Sequence, residues 1–353
     1  MAEMGNPAVL VLTAGEGKRM KSAMPKVLHQ LMGRPLLEHV LNAALYLAPA
    51  RLVLVTGFGA EAVEARAAEF LAAPRPDGFS PPAPVFVRQV EQLGTGHAVA
   101  QARAALADFR GPVLIMAGDV PLISPGTLDG FLRAHQALEA HLSVLTVSLD
   151  NPGTYGRIIR DEAGWLERIV EYRDADENER LIREINSGLY AAETGLLFDT
   201  LAELTTENDQ GEYYLTEAAE LFHLRGLRAA AVEIPAANSF EVMGINDRRE
   251  LAEAQAILRD RINEAWLRSG VTFLDPPSTL VEASVRLGRD VRLWPGVILT
   301  GRTIVGEGAE IGPYSHLDNC RIPAGAKVPG HLAWTGRDFQ ETAITKSGQA
   351  AEY

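Results

Sequence analysis

The sequence predicts an α/β layered domain with a mostly parallel sheet, then a long helix, then a short left-handed β-helix. Three observations carry this. Apolar strand-like runs alternate with amphipathic helical stretches through about the first 245 residues, the pattern of a sheet covered by helices. Residues 247–268 then change to a helical period. Beyond them an aliphatic residue returns at every sixth position, from Val281 to Leu317.

In chain order, residues 9–12, 52–55, 85–87, 113–116 and 142–147 read as buried strands. Residues 36–48, 60–72, 97–107 and 127–140 read as the helices between and after them. The proline-rich stretch 74–84 reads as a surface loop or disordered insert. Leu251, Ala254, Leu258, Ile262 and Ala265 form one helical stripe, and Asp247 with Glu250 three residues later forms a capping box at its start. Val281, Leu287, Leu293, Leu299, Val305, Ile311 and Leu317 are six apart. Small or β-branched residues (Val285, Val291, Val297, Thr303, Ala309, Ser315) follow each of the first six by four. An ordinary sheet has period two, whereas hexapeptides make the flat faces of a solenoid with three units per turn, so about two coils are predicted. Such a short solenoid calls for association. The predicted division is 1–246, an α/β domain; 247–270, a connecting helix; 271–330, the β-helix; and 331–353, a polar, loosely ordered tail.

The 353 residues allow two domains, and the net charge of −13 argues against a nucleic-acid or anionic-membrane surface. Cys320 is the only cysteine, which excludes an intrachain disulfide and a cysteine metal site. No signal-peptide pattern and no apolar run of spanning length is present, so a cytoplasmic location is expected.

Against this acidic background, Leu12-Thr13-Ala14-Gly15-Glu16-Gly17-Lys18-Arg19-Met20 follows the first strand. Glycines let backbone N–H groups approach a polyphosphate, and three of the five lysines (Lys18, Lys21, Lys26) stand here beside Arg19. The loop is neither a P-loop nor a good dinucleotide fingerprint, because Met20 stands at the third glycine. Gln89 through Ala98 forms a glycine-rich turn entering a helix, whose amides either read a base edge or only cap the turn. Asp119, placed by Gly118 at a strand end, suits Mg²⁺ bound with phosphate, or an ordinary turn. Gly156, Glu171 and Asn186 border short strands where polar groups bond a sugar or the backbone; Asn246 precedes the long helix as ligand or cap.

Taken together and in order, these stretches, with Pro25-Lys26-Val27-Leu28-His29, Gly118-Asp119-Val120-Pro121-Leu122, Tyr155-Gly156-Arg157-Ile158, Glu184-Ile185-Asn186-Ser187-Gly188 and Gln210-Gly211-Glu212-Tyr213-Tyr214-Leu215-Thr216, closely resemble the bacterial bifunctional N-acetylglucosamine-1-phosphate uridyltransferase/glucosamine-1-phosphate acetyltransferase family. The resemblance covers residues 8–250, and the hexapeptides continue it. It implies a Rossmann-like nucleotide-diphospho-sugar transferase domain. The implied reaction is that of UTP with N-acetylglucosamine 1-phosphate to give UDP-N-acetylglucosamine, a cell-wall precursor, and pyrophosphate. By the same resemblance, Leu12, Ala14, Gly15, Gln89, Gly94, Thr95 and Gly118 would contact the nucleotide, and Gly156, Glu171 and Asn186 the sugar. Arg19 and Lys26 would be catalytic toward the phosphates, and Asp119 and Asn246 would hold Mg²⁺. Thr13, Glu16, Ala117 and Glu217 depart from the family pattern. The repeat stops near Gly330 and the histidine-bearing acetyltransferase motifs are missing, so no acetyl transfer is expected, and the remaining solenoid is expected to form a homotrimer. The alternatives are a uridylyl- or thymidylyltransferase acting on another sugar 1-phosphate, such as glucose 1-phosphate, and a non-catalytic sugar-nucleotide sensor.

Overall fold

The computed structural model describes residues 5–75 and 78–339. The chain divides into two compact units, Met1–His29 with Pro35–Leu251, and Gln30–Arg34 with Ala252–Tyr353.

The first unit is built on strands β1 (Ala8–Leu12), β2 (Arg51–Thr56), β3 (Val85–Arg88), β4 (Pro112–Ala117), β5 (Leu142–Ser148), β6 (Arg157–Arg160), β7 (Leu166–Val170), β8 (Glu184–Glu193) and β9 (Ala229–Glu233). The main sheet runs β9-β5-β8-β4-β1-β2-β3. Strand β1 pairs in parallel with both β2 and β4, so the loop that follows it leaves the middle of the sheet. Alternate residues of β1 face opposite cores. Val9 and Val11 pack with α1 (Leu36–Leu45), α2 (Ala60–Ala72) and α4 (Pro125–Ala137). Ala8 and Leu10 pack with α3 (Thr95–Ala100), α5 (Thr194–Leu201) and α6 (Glu217–Leu224). A strand buried on both faces reads as an unbroken apolar run, as β1 does.

Four of the six pairings along this path are parallel, as expected, and the sheet is mixed because β8 lies antiparallel between β4 and β5. After β5 the chain turns through the antiparallel hairpin β6–β7 and returns with no crossover helix, which permits the opposite direction. Apolar periodicity carries no information on strand direction. Asn186-Ser187-Gly188 does not end a short strand: it forms an irregularity inside the ten-residue β8, where the register with β5 shifts between Asn186 and Tyr190.

In the second unit, two-residue and three-residue strands stack in parallel into sheets of four, four and three strands. This is the left-handed hexapeptide β-helix, and it has more than three coils where the strict six-residue period suggested about two. The difference lies in two register slips. Phe273 precedes Val281 by eight residues across the turn Pro276–Ser278, and Ile322 follows Leu317 by only five. Both are buried in the same core as the regular positions. The pairing also passes residue 330: Ala333–Thr335 pairs with His316–Asp318, Arg321 bridges Asp338, and Phe339 is buried. The part of the predicted polar tail from 340 to 353 lies outside the described residues. Cys320 stands fully buried at the shortened corner, its N–H donating to Thr303 Oγ1 at 3.2 Å.

The long helix α7 (Arg248–Arg268) begins with the expected cap: the Glu250 N–H donates to Asp247 Oδ1 at 2.8 Å. Ile262 and Trp266 pack against the solenoid core, and the buried Asn263 donates to the carbonyls of Pro276 and Thr279. Among the described residues, no helix is long and apolar enough to cross a membrane.

Candidate active site

The loop after β1 is pinned before it turns. Thr13 donates from both its backbone N–H and its hydroxyl to Val55 O, each at 2.8 Å, so its hydroxyl adds a bond to the one the backbone makes. Gly118 N–H donates to Leu12 O at 2.9 Å, and a Cβ on Gly118 would stand 2.8 Å from Thr13 Cγ2. Gly17 has φ +67°, and a Cβ there would meet the Lys26 Cβ at 2.6 Å. The loop therefore folds back onto Lys26 only with glycine in that place. Met20 is buried as the loop's anchor, while Gly15 and Arg19 are exposed. Glu16 pairs with the exposed Lys18 at 3.2 Å, which offsets one positive charge within the loop.

Three distant segments meet at Lys26. Its ammonium forms an ion pair with Asp119 and donates to Asn246 Oδ1 at 3.1 Å. Asp119 follows β4, and its carbonyl accepts from Ile245 N–H at 2.9 Å, which brings Asn246 alongside. Asn246 is not the cap of α7. Asp247 makes that bond, and the Glu250 carboxylate takes the Asn246 N–H at 2.6 Å, leaving the Asn246 side chain facing Lys26. The Glu250 N–H holds the Asp247 carboxyl below its usual range, and the charges of Arg249 and Arg19 add to this. Burial pushes the Tyr155 hydroxyl up, with Asp119 adding to it and Arg19 opposing it. The Arg19 charge thus acts on Asp247 and Tyr155, the first of them next in sequence to Asn246.

The second glycine-rich turn is tied to the first. Gln92 Nε2 donates to Ala14 O at 2.9 Å, and the buried Gln89 donates from Nε2 to Gly94 O at 3.0 Å. Gly94 has φ +106°, and a Cβ on it would lie 2.6 Å from Tyr213 O. The Gln210–Thr216 stretch closes over this turn. Tyr213 and Leu93 share a bond of 2.8 Å, as do Gly96 and Tyr213, and Thr95 Oγ1 accepts from Leu215 N–H at 3.0 Å. One lone pair of the Thr95 hydroxyl is thereby used in holding the turn.

The third group is Gly156, Glu171 and Asn186. Asn186 N–H donates to Gly156 O at 3.0 Å, and a Cβ on Gly156 would stand 3.6 Å from Glu171 Oε1. Asn186 Oδ1 accepts from Gly188 N–H at 2.9 Å and its Nδ2 donates to the Tyr190 hydroxyl at 2.8 Å, so the irregularity in β8 is what fixes this side chain. Burial pushes the Glu171 carboxyl above the usual range; the Thr216 hydroxyl, 3.3 Å away, opposes this and the Asp174 charge adds to it. Burial likewise raises the Tyr190 hydroxyl, with Glu171 adding to it.

Every candidate site residue singled out from the sequence lies in the first unit; Leu12 ends β1 and Asn186 lies inside β8, and the others stand in or beside the loops and turns just described. Three residues within the quoted motifs gain roles that were not read from them: Gln92 on Ala14, Thr216 on Glu171, and Arg157. The Arg157 guanidinium is buried and donates to the carbonyls of Tyr155 and Gly153, which shapes the turn that presents Gly156.

Comparison with known proteins adds sequence and fold relationships. The profile of the MobA-like NTP transferase domain matches residues 9–189. Proteins described as "Bifunctional protein GlmU" from Halalkalibacterium halodurans, Geobacter metallireducens and Pelotomaculum thermopropionicum are 39%, 45% and 46% identical to this chain, over 90%, 93% and 91% of its length. The chain spans 64–67% of those relatives. Among solved structures, a UDP-glucose pyrophosphorylase complexed with UDP-glucose aligns with a TM-score of 0.58 at 17% identity, covering 72% of this chain and 99% of that one. At that identity the likeness bears on the fold alone.

Proposed function

The chain belongs to the GlmU family of sugar-1-phosphate nucleotidyltransferases, and from that footing we propose that it transfers UMP from UTP to N-acetylglucosamine 1-phosphate, releasing pyrophosphate. The observation that carries this reading is the meeting of Lys26, Asp119 and Asn246 beside the Arg19 loop. The sugar phosphate oxygen is already an anionic nucleophile, so the chemistry asks for no strong base. What opposes it is repulsion between two phosphate anions.

Asp119 and Asn246 both place an oxygen within reach of one Nζ, so the pair can share one cation. Two oxygen donors, one charged and one neutral, suit Mg²⁺ held mostly by substrate phosphates. When bound, Mg²⁺ would supply charge neutralisation on the phosphates. Lys26 and Arg19 act on the same charge. Arg19, exposed on the loop, offers a fork for the departing pyrophosphate. Gln89 and the Gly94 turn face the base, and Gly156, Glu171 and Asn186 supply hydrogen bonds for the sugar.

Pyrophosphate release with UTP, Mg²⁺ and a panel of sugar 1-phosphates tests the reading. Turnover is expected with N-acetylglucosamine 1-phosphate well above glucose 1-phosphate, and Asp119→Asn is expected to lose it by about 100-fold or more while nucleotide binding persists. Preference for glucose 1-phosphate would overturn the sugar assignment. The proposal extends to a homotrimer held through the solenoid, opposed by a monomeric mass in solution. It extends also to no acetyl transfer by this chain from acetyl-CoA to glucosamine 1-phosphate, opposed by any measurable transfer.

A further inference from the structure

We infer that His97 is a positioning residue for base recognition, its ring acting with the Gly94 carbonyl to fix which end of the Gln89 amide is offered to the nucleobase. The inference rests on the uridylyl-transfer reading above and adds to it a residue acting through another. Gln89 follows β3 directly and is buried. Its Nε2 donates to Gly94 O at 3.0 Å and lies 3.1 Å from His97 Nδ1. A backbone carbonyl only accepts, so the bond to Gly94 identifies the nitrogen end of the amide. One of the two amide protons goes to Gly94. The other meets Nδ1, which therefore bears a lone pair and no proton.

The far side of the ring is also held. The Gln101 side-chain amide lies 2.9 Å from His97 Nε2, one helical turn along the chain. The Gln101 nitrogen also lies 3.3 Å from the His97 carbonyl, so the two amides compete for the tautomer. The 3.0 Å bond from Gln89 to Gly94 O is the stronger anchor, and with Nδ1 as acceptor the proton sits on Nε2 and the Gln101 amide turns its oxygen inward, giving up the weaker contact. The Tyr213 ring, its centroid 6.3 Å from that of the imidazole, bounds the site further.

With both Nε2 protons of Gln89 engaged, the end left to a ligand is Oε1, and none of the described residues donates to it. An acceptor in that place matches the N3–H of an imide base such as uracil. It opposes the N3 lone pair of cytosine. Without His97 the Gly94 carbonyl alone orients the Gln89 amide, so reversal to accommodate cytosine costs one hydrogen bond instead of two.

The test is kcat/KM for UTP and for CTP, with N-acetylglucosamine 1-phosphate as acceptor, in the unaltered chain, His97→Ala and His97→Asn. The unaltered chain is expected to favour UTP by about 100-fold or more. His97→Ala is expected to lower that ratio about tenfold, mainly through KM for UTP, which is the scale of one directed hydrogen bond. His97→Asn, whose Oδ1 can replace Nδ1 as acceptor, is expected to restore the ratio to within about threefold. A ratio unchanged in His97→Ala, whatever activity is lost, would overturn the inference, and so would an asparagine variant no better than alanine. ¹⁵N NMR of the unaltered chain reads the ring directly: an unprotonated Nδ1 on His97 is expected, and a protonated one overturns the inference without any variant. Equal use of UTP and CTP by the unaltered chain would instead remove the uridylyl reading itself, and the role of His97 with it.

Discussion

Lys26 bonds the two oxygens that a hard cation would also take, so an ammonium and a divalent ion compete for Asp119 and Asn246. Each of the three residues is visible in its own motif. Their meeting is not, because Lys26 is 93 residues from Asp119 and 220 from Asn246. The same holds for Glu171, whose position after β7 is readable while its closeness to Thr216 and Gly156 is not. Burial raises the Glu171 carboxyl, so the folded chain disfavours its ionised form. The sign follows from linkage: the folded state carries no penalty below the unfolded pKa and loses stability as pH rises through the raised folded value. Glu171→Gln is therefore expected to raise Tm at pH 8, with the gain fading toward pH 4. It is also expected to raise KM for the sugar phosphate by roughly 10- to 100-fold, the scale of a hydrogen bond to a charged group. Thermal scans across pH and steady-state kinetics read both; a Tm gain equal at pH 4 and pH 8 would remove the burial argument.

At the scale of elements, the Gly94 turn carries the most constraint. It combines a left-handed φ with the close approach of the Tyr213 carbonyl. Gly94→Ala is expected to cost about 1–3 kcal/mol of stability and to raise KM for UTP before KM for the sugar phosphate. Denaturant unfolding and the two KM values check this, and equal effects on both substrates would show the turn acting only as scaffold. The alternating strands and helices were legible because β1, β2 and β4 are buried on both faces and leave continuous apolar runs. The direction of β8 was not, since the chain reverses through a hairpin whose strands have no distinctive period. In the solenoid, strict spacing exposed seven inward positions and concealed Phe273, Ile322, Val328 and Trp334. A two-residue excess and a one-residue deficit shift those positions out of phase without removing them from the core or its margin. A pattern search tied to one period finds the regular coils and misses the irregular ones.

On the scale of the whole molecule, the net charge of −13 and the lysines gathered in one loop set a small anionic ligand apart from a nucleic acid. Each unit keeps its own apolar core, and the solenoid core includes Cys320. That side chain is fully buried, its Sγ facing the carbonyls of Asp318 and Trp334. Since no other sulfhydryl exists in the 353 residues, a colorimetric disulfide reagent added to the native protein has a single target, and that target lies inside the coils. Its modification is expected to run at least about a thousandfold slower than in denaturant, at the pace of local opening. Immediate reaction under native conditions would show the corner at Cys320 to be open. The shortened corner thus makes the protein its own chemical clock for fraying of the coils, with no engineered tag and no background from the catalytic half.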